Sequence, residues 1–175
     1  MGNDVIVLIA NISGGNVTVI NFGSSITNNT PAAYNIAVPG TNPITTALVN
    51  DCGHMYGYVA YVSASPITII DFGNAVTSTP VQISDFTFST QYAYRKINMI
   101  NEAGNWILQC NTYGGELFHA FHLGTNAGNT TPIYQNQGTI GAFGSGFWTY
   151  AIKKNESEIG GIACNYNTGE LSWFK

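Results

Sequence analysis

Short stretches in which apolar residues alternate with others recur along the chain, broken by Gly, Asn and Pro. Val5, Val7 and Ile9 alternate in this way, as do Met55, Gly57 and Val59, and Trp106, Leu108 and Cys110. Period two sends successive side chains to opposite faces, so each stretch predicts a β-strand. Turn residues follow, Ser13-Gly14-Gly15-Asn16 in one place and Tyr113-Gly114-Gly115 in another. Gly and Asn supply the positive φ of a tight hairpin, and a second strand such as Ile67 to Phe72 returns from it. Polar loops ending in Thr-Pro come next. Two further strands are predicted beyond each loop, one starting near Ala33, Val81 or Ile133, the other near Ala47-Leu48-Val49, Tyr94 to Ile100 or Phe147 to Ile152. Pro fits the opening of a strand because it lacks the N–H that a strand interior needs. The run Val5 to Ala10 is apolar at both parities and predicts burial on both faces.

The pattern repeats. Asn21-Phe22-Gly23, Asp71-Phe72-Gly73 and His122-Leu123-Gly124 are 50 and 51 residues apart, and their loops run to Pro31, Pro80 and Pro132. Counting back from each Gly aligns the preceding hairpins without gaps. A fourth copy closes the sequence, where Cys164 falls on Cys110 and Gly169-Glu170-Leu171 on Gly115-Glu116-Leu117. About four antiparallel strands in ~50 residues is the size of a propeller blade.

The expected fold is therefore all-β: one domain over 1–175 of propeller-like repeats of four antiparallel strands, about three and a half blades. The half repeat covers 3–23 and the others about 31–73, 80–124 and 132–175, with the Thr-Pro strand innermost and the strand ending in Phe-Gly outermost. A β-trefoil or β-prism is the alternative. In this grouping the first hairpin lacks its inner strands. Its open edge predicts a partner, because an uncovered strand edge promotes aggregation.

The strings Ile70-Asp71-Phe72-Gly73-Asn74-Ala75-Val76-Thr77-Ser78-Thr79-Pro80 and Ile20-Asn21-Phe22-Gly23-Ser24-Ser25-Ile26-Thr27-Asn28-Asn29-Thr30-Pro31 resemble the "LDFGNSLTNTP" β-propeller-type repeats. Those occur in large surface proteins of Bacteroidetes and in virion proteins of the phages that infect them, including crAss-like phages. The third copy departs from the pattern, with His122-Leu123-Gly124 in place of Asp-Phe-Gly. The resemblance implies an architecture and a setting, not a catalytic site.

Composition narrows the function classes. Charged residues make up 8% of the chain, about a third of the usual share, and 20 Asn, 18 Thr and 20 Gly take their place. These residues disfavour helices. Five Lys and Arg against nine Asp and Glu leave a net charge of −4, which offers no cationic surface to nucleic acid. The longest apolar run is far short of the ~20 residues of a spanning helix, so no membrane insertion is expected. No secretory signal is visible, so synthesis in a cytoplasm is expected; taken with the resemblance, this implies a place in a virion made in a host cytoplasm, in preference to a secreted bacterial protein.

Candidate chemistry is sparse. Cys52, Cys110 and Cys164 have no CxxC spacing and are expected to be small buried apolar residues. His119 and His122 lie three apart, which on a strand sends them to opposite faces, so no shared metal ion is expected. His54 is read as a turn residue bonded to backbone. Asp71 holds the repeat position of Asn21 and His122, where a side chain that bonds nearby N–H groups is wanted. Glu116 and Glu170 are expected in solvent, and Arg95-Lys96 with Lys153-Lys154 as a solvated rim. With no nucleophile elbow, phosphate loop or carboxylate motif, the chain is read as no enzyme, with no cofactor and no metal. Aromatics reach 13%. Tyr56, Tyr58, Trp148 and Tyr150 are the candidate binding residues, weighed against packing between blades. The expected function is a structural or adhesive, oligomeric virion component. Its partners would be other virion subunits, with host glycan as a further ligand. A carbohydrate-binding module and a bacterial surface repeat fragment are the alternatives.

Overall fold

In the computed structural model the described residues are 4–63, 66–76, 79–86, 93–112, 117–139, 147–155, 158–165 and 171–174. From residue 136 onward, and at 118, only the backbone is described. All regular structure among them is β-strand: β1 (Ile6–Asn11), β2 (Asn16–Asn21), β3 (Ala32–Ala37), β4 (Pro43–Asp51), β5 (His54–Tyr61), β6 (Ile67–Gly73), β7 (Gln82–Phe86), β8 (Tyr94–Glu102), β9 (Asn105–Thr112), β10 (Leu117–Gly124), β11 (Ile133–Thr139), β12 (Phe147–Asn155), β13 (Glu158–Asn165) and β14 (Leu171–Phe174). They form four antiparallel sheets, β1-β2-β3, β4-β5-β6-β7, β8-β9-β10-β11 and β12-β13-β14. No described helix is long and apolar enough to cross a membrane.

The alternating stretches all fall on strands, but the sheets group them differently from the expected blades. The Thr-Pro strand pairs with the Phe-Gly strand before it and does not open the next sheet. Asp71 lies opposite Gln82 in the β6–β7 ladder, and Asn21 opposite Ala32 in β2–β3. The cause is the Gly at the end of each Phe-Gly strand. Gly23, Gly73 and Gly124 take φ of 65°, 69° and 73°, a left-handed turn that Gly adopts without steric cost. The chain then doubles back, and Val81 N–H donates to the Asp71 carbonyl at 2.7 Å. The first sheet consequently has three strands where a two-stranded half blade was expected.

Two-residue hairpins join the first and second strands of the middle sheets. Asp51 faces His54 and Glu102 faces Asn105. The loop residues Cys52-Gly53 and Ala103-Gly104 all have positive φ, as a type I′ turn requires. In each case a side-chain oxygen one residue before the loop pair's first flank accepts the Gly N–H, Asn50 for Gly53 and Asn101 for Gly104.

Neighbouring sheets lie side by side, with β1 beside β4, β4 beside β8 and β8 beside β12, and large side chains fill the first two of these contacts. Between the first and second sheets lie Val17, Val19 and Ile36 against Val59, Tyr61, Ile70 and Phe72. Between the second and third lie Tyr56, Tyr58, Ile67, Ile69 and Phe86 against Tyr94, Leu108, Cys110, Phe121 and Leu123. Each middle sheet therefore has a leading face, turned to the sheet before it, and a trailing face, turned to the sheet after it. The first strand does not follow the expectation of burial on both faces: Val7 and Ile9 are exposed while Leu8 packs against the second sheet.

Candidate functional site

Of the four aromatic candidates, Tyr56 and Tyr58 lie inside the contact between the second and third sheets. For these two residues the structure shows the packing between sheets that was weighed against binding. β5 has apolar neighbours on both sides, so its alternating tyrosines have no solvent face to occupy. Burial raises the Tyr58 hydroxyl pKa far above its ordinary value, and that hydroxyl donates to the Ala127 carbonyl. Burial, followed by the nearby Asp71 and Asp51, also raises that of Tyr56. The side chains of Trp148 and Tyr150 lie outside the described residues, as do those of Cys164, Lys153 and Lys154; Glu116 and Glu170 are likewise outside.

What the tyrosines reach is the loop after the Phe-Gly strand, and this loop acts as a plug. Residues 124–132 of the third sheet extend onto the second. Ala127 is fully buried, its N–H donates to Asp51 Oδ2 at 3.0 Å and its carbonyl takes the Tyr58 hydroxyl. Gly128 sits so close to the Tyr56 ring that a Cβ there would lie 2.5 Å from Cε1. After β6, Val76 stands where Ala127 does, three residues past the Gly, one sheet earlier. Val76, 8% exposed, packs into the contact with the first sheet, beside a small cavity of ≈160 Å³ shared with Asp4, Ile6, Asn50 and Met55.

Local hydrogen bonds shape the loops of the first and third sheets alike, though among the described residues only the third sheet's loop is received by a neighbour. In the third sheet Asn129 Nδ2 donates to the Leu123 carbonyl at 2.9 Å, and its Oδ1 accepts the Thr131 N–H at 2.9 Å. In the first sheet Asn28 Nδ2 donates to the Phe22 carbonyl at 3.0 Å, and its Oδ1 accepts the Thr30 N–H at 3.0 Å. The loop amide repeats as well, Asn28 N–H to Ser25 and Asn129 N–H to Asn126. At the loop start, Asn21 and Asp71 each accept the N–H of the Gly two residues on, at 2.7 Å, as the sequence reading expected of that position. His122 differs and pairs with Gln135 at 2.8 Å.

A second feature lies where the first strands of three sheets run side by side. A cavity of ≈410 Å³ is lined by residues 8–10 of β1, 44–46 of β4, and Arg95 and Lys96 of β8. Thr46 Oγ1 donates to the Leu8 carbonyl at 2.7 Å and ties its walls together. Two cations, two threonine hydroxyls and apolar stems can hold a small polar or anionic group. Arg95 and Lys96 were expected on a solvated rim; they line this cavity instead, because β8 is an edge strand turned toward β4.

Other expectations are also revised. His54 Nε2 lies 2.6 Å from Asp71 Oδ1 and its ring stacks on Tyr56, so its partner is a side chain and not backbone. Cys110 is buried, whereas Cys52 is exposed at a hairpin tip. His119 is buried and pairs through Nδ1 with the Tyr94 hydroxyl at 3.0 Å. The plug escaped the sequence reading, although a signal was available: an apolar residue, Ile26, Val76 or Ala127, three places after the Gly of a largely polar loop. No protein-family model matches the chain, and no curated protein matches it.

Proposed function

We propose that the chain is a non-enzymatic structural or adhesive component of a bacteriophage virion, acting as an oligomer of propeller-like repeats. The observation that carries this reading is the plug. The loop carries the same Asn-centred hydrogen bonds on the first and third sheets, and the loops of the second and third sheets each fasten to the sheet before through Val76 and Ala127, a construction suited to a part that assembles side by side. The charge-poor composition favours surfaces recognised by shape and hydrogen bonding, with weak dependence on salt. The repeat strings around Phe22-Gly23 and Phe72-Gly73 support the virion setting, with assembly in a host cytoplasm. Mass spectrometry of purified particles of the phage whose genome encodes the chain tests this. The chain is expected at high copy number, and its absence from particles refutes the reading.

Carbohydrate binding is the second reading, favoured by the cavity between β1, β4 and β8. A glycan array would show saturable binding that Lys96→Ala removes. Binding unaffected by that change would reject this cavity as the glycan site.

A further inference from the structure

The first sheet carries the same leading face and the same plug as its neighbours, and nothing described covers either. Counting from the shared Gly, Val7 corresponds to Gly57 and Leu108, and Ile9 to Val59 and Cys110. The middle-sheet residues are all buried. Val7 and Ile9 are 39% and 40% exposed. Ile20 and Phe22 are half-buried where Ile70, Phe72, Phe121 and Leu123 are fully inside. Ile26 is 68% exposed, against 8% for Val76 and none for Ala127. The Asn28 bonds hold this loop in the shape its counterpart has when docked.

We infer that the leading face of the first sheet, with Ile26 as its plug, docks a second copy of this chain. This rests on the assembly reading above and names its surface. The occupant follows from the molecule's own contacts. Twice within the chain this face meets the trailing face of another sheet of the same repeat, and each time the plug enters that neighbour. The surface complementary to the first sheet is thus a trailing face of this sequence type. The fourth sheet, beyond β8, continues the series and is the part of the second copy that would supply it. Such a contact joins two different surfaces, so it propagates into a ring where the rotation closes and into a filament where it does not.

Sedimentation velocity of the full 175-residue chain over a concentration series tests the inference with two variants. Ile26→Asp buries a carboxylate in the proposed contact and leaves the fold untouched, because the side chain is in solvent in one copy. Ile133→Asp changes an isoleucine 74% exposed at the start of β11, on the opposite edge of its sheet from β8. The expected result is self-association of the parent, an association constant lowered roughly a hundredfold in Ile26→Asp, and no change in Ile133→Asp. Hydrogen exchange should slow in residues 5–11 and 24–28 on assembly. A parent that stays monomeric at every concentration, an Ile26→Asp variant that associates like the parent, or equal loss in Ile133→Asp would each overturn the inference. A chain present in particles yet monomeric alone sinks this surface and leaves the virion role. A chain that self-associates through Ile26 but is absent from particles does the reverse.

Discussion

Acid should destabilise this protein through His119 well above the pH at which carboxylates titrate. The imidazole is fully buried, bonded to the Tyr94 hydroxyl and set edge-on to the rings of Tyr94 and Tyr134, with centroids 5.8 and 5.2 Å away. Burial disfavours the charged form and lowers its pKa from 6.5 to about 4. Between those values the unfolded chain binds a proton that the folded chain does not, so stability is complete above the unfolded pKa and falls as pH drops toward the folded one. At 1.36 kcal/mol per unit, the loss is about 2 kcal/mol by about pH 5 and about 3 kcal/mol below about pH 4. Against a typical total of about 5–15 kcal/mol, this is a large fraction. Urea unfolding at about pH 7.5 and about pH 5 reads it as a shift in midpoint at constant slope. His119→Phe keeps a ring in place and removes this titration, so its two midpoints should lie closer together than the parent's by the loss assigned to His119. Equal acid shifts in the parent and His119→Phe would refute the reasoning.

Three further outcomes follow from particular contacts. Gly128→Ala places a Cβ 2.5 Å from the Tyr56 ring; the plug must back away, at a cost of about 1–3 kcal/mol, seen as a thermal midpoint lowered by several degrees. Tyr58→Phe leaves the buried Ala127 carbonyl without its hydroxyl donor and should cost about 1–3 kcal/mol in urea unfolding. Cys52→Asn should stabilise by about 0.5 kcal/mol, because Cys52 sits at φ 50° in a type I′ hairpin where Asn is the better-tolerated residue; a lower thermal midpoint would contradict this.

Pleated periodicity made the strands legible, and a three-residue signature at constant spacing made the repeats legible. Both are local: the alternation of Val5, Val7 and Ile9, or a Gly free to take positive φ after Phe22 and Phe72, requires no distant partner. Strand grouping was not legible. The loop from Gly73 to Pro80 could lead into a new sheet or fold back on the old one, and only the ladder between Asp71 and Gln82 decides. Burial was equally undetermined. Val7, Gly57 and Leu108 occupy one repeat position, and Ile26, Val76 and Ala127 another, yet their exposure depends on whether a sheet stands in front of them. Sequence by itself thus determined an all-β chain of copied modules. Tertiary structure alone decided which tyrosines are interior and which module shows its leading face to solvent, because burial belongs to the pair of surfaces that meet and not to either strand alone.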